Sequence, residues 1–192
     1  MKYIRTLFDK PAKNGKFYLI AIDGRGGAGK SSFTDYLKKL LPDFDFIYYD
    51  DYFEPTPDKE IWGGFNQARF EADVIKPLHD SDKFIYRPYN HHKTPHITEQ
   101  PMIIQKGLVL EGCFSFSFDL DWDLKIWVET PRELCLKRGV ERDAKDKGYE
   151  TALHGWRDIW LPPEDKYIEQ IKPLETVDIV LDGTESFESQ IN

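Results

Sequence analysis

Residues 17–33 read FYLIAIDGRGGAGKSSF. An apolar run from Phe17 to Ile22 gives way to Gly24, Gly26, Gly27 and Gly29, and then to Lys30, Ser31 and Ser32. The run is short, partly β-branched and closed by glycines, which predicts a strand; SSFTDYLKKLL after it, stopped by Pro42, predicts a helix. Between the two, GRGGAGKS (24–31) fits G-x-x-x-x-G-K-[ST]. Glycines there let the backbone turn its N–H groups inward around phosphate oxygens, and the helix N-terminus adds its positive end. A glycine-rich turn that merely happened to end in Lys-Ser would need neither the strand nor the helix. Gly24, Gly26, Gly27, Ala28, Gly29, Lys30, Ser31 and Ser32 are therefore the candidate nucleotide-binding residues. In that pattern Lys30 reaches the β- and γ-phosphates and Ser31 offers its hydroxyl to Mg2+.

The same alternation continues along the chain. FIYY (46–49), LVLE (108–111), LKIWVE (124–129) and DIVL (178–181) read as further strands. Between them lie helical patterns: RFEADVIKPLH, then PRELCLKRGVERDAKDKG, opened by Thr130 and Pro131 and closed near Gly148, then a segment with Trp156 and Trp160 one turn apart. Strands apolar on both faces and alternating with helices imply a doubly wound α/β domain, a three-layer αβα P-loop NTPase with a five-stranded parallel sheet. Ligands in such folds bind beyond the carboxyl ends of the strands. That rule singles out the glycine loop, Asp50 and Asp51, Glu111, and Glu129 with Thr130.

At 192 residues the chain suits one domain, 1–192, with insertions. Its net charge of −8 argues against nucleic acid and anionic membrane as partners, which reward a basic face. Cys113 and Cys135 show no metal or redox spacing, and the N-terminal residues carry scattered charges without an apolar segment. A cytoplasmic protein with a small-molecule partner is expected, and a homo-oligomer is left open.

A phosphate loop alone does not separate a kinase from a switch. A kinase also needs a base for the incoming hydroxyl and a pocket for the acceptor. YYDDYF (48–53) places acids after the second strand, expected beside the first, and Asp50 is the candidate base and magnesium ligand. Whether Asp50 or Asp51 is the base stays open, and an Asp pair can also be simply solvated. Glu111, ending the third strand before Gly112, is a candidate magnesium-side acid or a strand-end turn residue. Arg138 and Arg142, four apart on one helical face, could both point at a polyphosphate from a lid over about 131–149. Glu133 with Lys137 and Glu141 with Lys145 have the same spacing, the pattern of an ordinary salt-bridged solvent helix. Both readings of that helix stand.

Residues 52–101 are rich in aromatics, Pro and His and form the candidate acceptor-binding insert. Trp62, beside Gly63 and Gly64, is the tryptophan expected near the acceptor; Trp122, Trp127, Trp156 and Trp160 read as packing residues. His91, His92 and His96 are not expected to make a metal site, because neighbouring residues on a strand point to opposite faces and no cysteine joins them. In WLPPEDKYIEQIKP (160–173), Glu164 and Tyr167 share a helical side expected to pack against the lid helix and the fifth strand.

GRGGAGKSSF, YYDDYF, the aromatic insert, LVLEGCFSF, LKIWVETPRELCLKRGVERD and the late Pro-Leu before Asp-Ile-Val together resemble the uridine kinase and phosphoribulokinase group of P-loop kinases, over about residues 17–182. The resemblance implies phosphorylation of a small-molecule hydroxyl by ATP with Mg2+, on a fold with a nucleoside-monophosphate-kinase-like lid. By motif position it makes Lys30, Asp50, Arg138 and Arg142 catalytic, and gives Ser31, Asp50 and Glu111 to the metal. It also matches Tyr89 and His91 or His92 to the Tyr-Asp-Phe-x-x-His region of the acceptor pocket. Departures are local: GGFNQA lacks the aspartate expected to hold ribose hydroxyls, Phe53 replaces a tyrosine, and Gly139 and Tyr149 stand where lid bases are expected. A uridine-kinase-like enzyme for a nucleoside or similar metabolite is the first reading. The second is a regulatory nucleotide-binding module that hydrolyses ATP slowly without an acceptor. ATP or GTP as donor stays open.

Overall fold

Strand β1, Tyr18–Gly24, occupies the centre of the sheet and is almost wholly buried, as an apolar strand covered on both faces must be. The computed structural model describes residue 4 and residues 7–53, 65–90 and 96–191. After β1 come helix α1 (Lys30–Leu40) and strand β2 (Phe44–Tyr48). Helix α2 runs through Gln67–Phe70, a π-helical turn at Glu71–Ile75, and Lys76–Asp80. Short strands β3 (Lys83–Tyr86), β4 (Tyr89–Asn90), β5 (His96–Ile97) and β6 (Gln100–Ile103) follow, then β7 (Gly107–Glu111) and β8 (Leu124–Glu129). Helix α3 is Arg132–Lys147, and α4 combines Tyr149–His154, a π-helical turn at Gly155–Trp160, and Leu161–Ile171. The chain closes with α5 (Pro173–Thr176), β9 (Ile179–Asp182) and α6 (Phe187–Ile191).

The five strands expected from sequence pair in parallel in the order β2-β7-β1-β8-β9. The order corrects one expectation: β2 is not the neighbour of β1. Every residue of β7 is buried, and such a strand belongs inside the sheet; β2, FDFIY, carries a half-buried aspartate and takes the edge. Acids following β2 therefore reach the glycine loop across the end of β7, where Tyr48 stands opposite Glu111 and Glu111 opposite Ile22.

Alternate residues of the strands feed two cores. On one face Leu19, Ala21, Ile47, Leu108 and Leu110 pack under Phe70, Val74, Ile75 and Leu78 of α2. On the other, Ile20, Ile22, Val109, Ile126 and Val128 pack under Phe33 and Leu37 of α1 and Cys135 of α3. These are the two helical layers of the αβα sandwich. A third cluster, Val140, Ala152, Trp156 and Leu161, joins α3 to α4. β3 pairs with β6 and β4 with β5, both antiparallel, as small ribbons beside the main sheet. Among the described residues no helix is long and apolar enough to cross a membrane.

Candidate active site

The glycine loop leaves β1 at Gly24 and enters α1 at Lys30, with Gly27 at φ 78° and Gly29 at φ 106°, left-handed conformations that a side chain would oppose. Thr130, buried just after β8, supports the loop from below through its hydroxyl, which donates to the Ala28 carbonyl at 2.9 Å. Lys30 is folded back along the loop: its Nζ donates to the carbonyls of Gly24 (2.9 Å) and Arg25 (3.0 Å) and lies 3.2 Å from Cys113 Sγ. Burial opposes its charge, but Cys113, Glu111, Asp50 and Glu164 around it outweigh burial and hold its pKa above the ordinary lysine value.

Glu111, at the end of β7, is 4% exposed. Burial raises its pKa, while nearby Lys30 and a hydrogen bond from Ser31 pull the other way. Asp50, exposed on the 3-10 turn Tyr49–Tyr52, acts electrostatically on both Lys30 and Glu111. Lys30, Ser31, Asp50 and Glu111 therefore converge at the carboxyl ends of β1, β2 and β7. The next acid behaves differently: Asp51 accepts a hydrogen bond from the Tyr86 hydroxyl of β3. Of Glu129 and Thr130, only Thr130 meets the loop; Glu129 is exposed and accepts from Trp127 Nε1.

The two arginines of α3 part company. Arg138 is half-buried and donates to the carbonyls of Gly183 (3.1 Å) and Gly27 (3.4 Å), against the loop. Arg142 is exposed, pairs with Asp143 at 2.8 Å and lies over the Trp156 ring at 5.3 Å. Lys137 pairs with Glu141 and Lys147 with Asp143, so the outer face of α3 carries ion pairs four residues apart, between partners other than the Glu133–Lys137 and Glu141–Lys145 pairs read from the sequence. Gly139 has a packing reason: a Cβ there would lie 2.3 Å from the Trp156 ring, so glycine is what lets α4 dock on α3.

Sequence reading missed two buried acids. Asp23, the one charged residue in β1, is fully buried and accepts from the backbone N–H groups of Gly24 (2.7 Å), Phe114 (3.1 Å) and Phe116 (3.1 Å) and from the Tyr167 hydroxyl (2.6 Å). Burial pushes its pKa up to about 6, against those donors and Lys30. It thereby holds Phe114 in a left-handed conformation, φ 70°, uncommon outside glycine. Its signal was legible: a carboxylate inside an otherwise apolar strand has to be satisfied by several donors. Glu164 accepts the Gly26 N–H, and Tyr167 packs with Phe114, while Leu161 of the same stretch packs with Val140 of α3, as expected of it. Asp165, between Glu164 and Tyr167, pairs with Arg25 and Arg132, so one turn of α4 sits on the loop.

In the aromatic insert, Phe65 stacks on Tyr49 at 4.6 Å and meets Phe53 edge-on at 5.6 Å, and Phe53 meets Trp160 at 5.2 Å. Asn66 caps α2, its Oδ1 accepting from Arg69 N at 3.0 Å. Neither residue supplies the carboxylate that the resemblance led one to look for. Tyr89 is half-buried on β4, opposite Ile97. Trp62, His91 and His92 lie outside the described residues.

The sequence profile of the Phosphoribulokinase / Uridine kinase family matches residues 67–184, more than half of the chain. A uridine kinase of Ureaplasma urealyticum is 25% identical over 180 residues, spanning 84% of this chain and 87% of that one. A uridine kinase of Borrelia hermsii is 26% identical over 149 residues, spanning 68% of this chain and 69% of that one. The solved structure titled as a possible uridine kinase from Bacillus stearothermophilus superimposes with a TM-score of 0.64 at 15% identity, covering 94% of this chain and 100% of that one, a likeness of fold. With a phosphate loop in place and acids converging on it, the chain belongs to the phosphoribulokinase/uridine kinase family and is a small-molecule kinase with a hydroxyl acceptor.

Proposed function

We propose that the chain is a single kinase domain that moves the γ-phosphate of ATP to a hydroxyl of a nucleoside or similar metabolite, with residues 52–101 forming much of the acceptor side and 131–149 the lid. The convergence of Lys30, Ser31, Asp50 and Glu111 carries this reading. The donor set fits Mg2+, a hard cation that takes oxygen ligands: the Ser31 hydroxyl and the Glu111 and Asp50 carboxylates would hold it. When bound, Mg2+ offsets the charge of the phosphates. Lys30, released from the loop carbonyls, would neutralise charge on the transferring group, and Arg138 would add to it from α3. Asp50, exposed beside Lys30 and Glu111, would take the proton of the attacking hydroxyl, whereas Asp51 accepts from Tyr86. Arg142 belongs to the solvent face of the lid unless closure frees it from Asp143.

Phe53, Phe65 and Trp160 offer apolar ring faces to an acceptor, which suits a base or another flat group. A donor drawn from the ATP pool suits the cytoplasm. The deciding experiment measures ADP formation with a panel of nucleosides, pantothenate-like compounds and sugar phosphates. Turnover that depends on one class of acceptor is expected; steady ADP release indifferent to every acceptor would replace the kinase by the slow regulatory ATPase.

A further inference from the structure

One carboxylate outside the proposed machinery is aimed at the phosphate loop itself. Glu164 is 7% exposed. Its Oε2 accepts the Gly26 N–H at 3.1 Å, and Cys113 donates to its Oε1 across 3.5 Å. The neighbouring contacts fix it there: Asp165 pairs with Arg25 of the loop and Arg132 of α3, and Tyr167 donates to Asp23. Trp156 closes the other side, since a Cβ on Gly26 would meet its ring at 2.8 Å and Glu164 Oε1 at 3.1 Å. A phosphate loop works by presenting backbone N–H groups to anionic oxygens, and the carboxylate on Gly26 is such an oxygen.

We propose that Glu164 is a positioning residue that keeps the loop in its binding shape before nucleotide arrives, by occupying the Gly26 amide in place of a phosphate oxygen, and that nucleotide binding displaces it. The inference rests on the phosphotransfer reading above. Lys30 and Arg25 face the carboxylate from the loop, Cys113 from the end of β7, Cys135 from α3, and Asp165 and Tyr167 flank it on α4, with Asp50 and Glu111 gathered on the same lysine. Burial pushes Glu164 up to about 7, against Lys30, the Gly26 amide, Cys113 and Arg25. Displaced from the amide but still buried beside the arriving triphosphate, the acid favours its protonated form further, so binding brings proton uptake near neutral pH.

Calorimetry of ATP binding with excess Mg2+, in two buffers of different ionisation heat, tests this together with the NMR resonance of the Gly26 amide. Glu164→Gln keeps the shape and removes the charge; it is expected to bind ATP about fivefold more tightly than the wild type at pH 8, with the gap closing at pH 6. The wild type takes up a proton on binding and the variant does not. The Gly26 amide proton lies downfield in the wild type relative to Glu164→Ala and shifts when pyrophosphate is added. Equal ATP affinity and equal proton uptake in Glu164→Gln would overturn the proposal, and a lowered Tm alone would mark a purely structural contact. If Glu164→Ala does not fold, a wild-type Gly26 resonance unmoved by pyrophosphate overturns it equally well. Failure of every form to bind ATP removes the phosphotransfer reading and this inference together; tight binding with identical constants removes the inference alone.

Discussion

The phosphate loop and the proposed acceptor side differ in how they are encoded. In the loop, the ligand is met by backbone N–H groups, so the residues that matter are those that set backbone shape: glycines at left-handed φ, a strand before and a helix after. On the proposed acceptor side the residues are side chains from separate elements, Phe53 after β2, Phe65 before α2 and Trp160 in α4. A short motif can specify the first. The second exists only once the chain has folded. The family match sharpens the contrast: it covers residues 67–184, beyond the loop, and so is independent of the loop motif.

The sharpest test of the loop side is Lys30→Ala, which is expected to lower kcat by about 10^3-fold or more while circular dichroism and Tm stay near wild type. Retained turnover would mean that the loop binds but does not take part in transfer. Asp50→Asn against Asp51→Asn tests whether the sheet order, rather than adjacency in sequence, assigns the base. Asp50→Asn should lose about 10^2-fold or more in kcat with ATP affinity nearly unchanged, and Asp51→Asn should lose far less. Reversal of that order in steady-state kinetics would move the base to Asp51. Arg138→Ala should cost about tenfold in kcat/KM and Arg142→Ala less than about threefold, since only the first lies on the loop. Equal losses would show that lid closure frees Arg142 from Asp143.

Smaller effects probe the packing that joins the two regions. Gly139→Ala, whose Cβ would press into the Trp156 ring, should destabilise the fold by about 1–3 kcal/mol in denaturant unfolding. An unchanged midpoint would mean that α4 shifts to make room. Glu164→Gln probes pH dependence. The folded-state pKa of Glu164 is raised above the ordinary glutamate value, up to about 7, so the folded protein holds the proton that the unfolded chain releases. Wild-type stability should therefore fall from about pH 4.5 to 7 relative to the variant, by on the order of 3 kcal/mol, and the difference should level off above that. Parallel unfolding curves for both proteins across that range would show that Glu164 keeps an ordinary pKa in the folded state.

Much of the fold was legible in the sequence, because each central strand is a short apolar run bounded by turn residues and each flanking helix carries its own stop. LKIWVE matches β8 residue for residue, and Gly148, at φ 80°, marks the end of α3. Strand order was less legible: chain order alone puts the acids after β2 beside β1, and only the full burial of β7 shows why it takes the place between them. The helix of α3 shows the limit for side chains. Arg138 and Arg142 have the same type and the spacing of one face, yet the small difference in angle between them puts one on the Gly27 carbonyl and the other on Asp143.

What the sequence by itself determined is what local backbone chemistry controls: the phosphate loop, the alternation of strand and helix, and with them the αβα class. What only tertiary structure decided is which side chains from distant parts of the chain share one site: Asp50 rather than Asp51 near Lys30, Arg138 rather than Arg142 on the loop, Asp23 as the hub of three segments, and Glu164 on the Gly26 amide. The reason is distance along the chain. Glycine torsions and hydrophobic periods act over a few residues and leave a written pattern, whereas the contact of Glu164 with Gly26 spans 138 residues and depends on how α4 packs against α3 and the sheet.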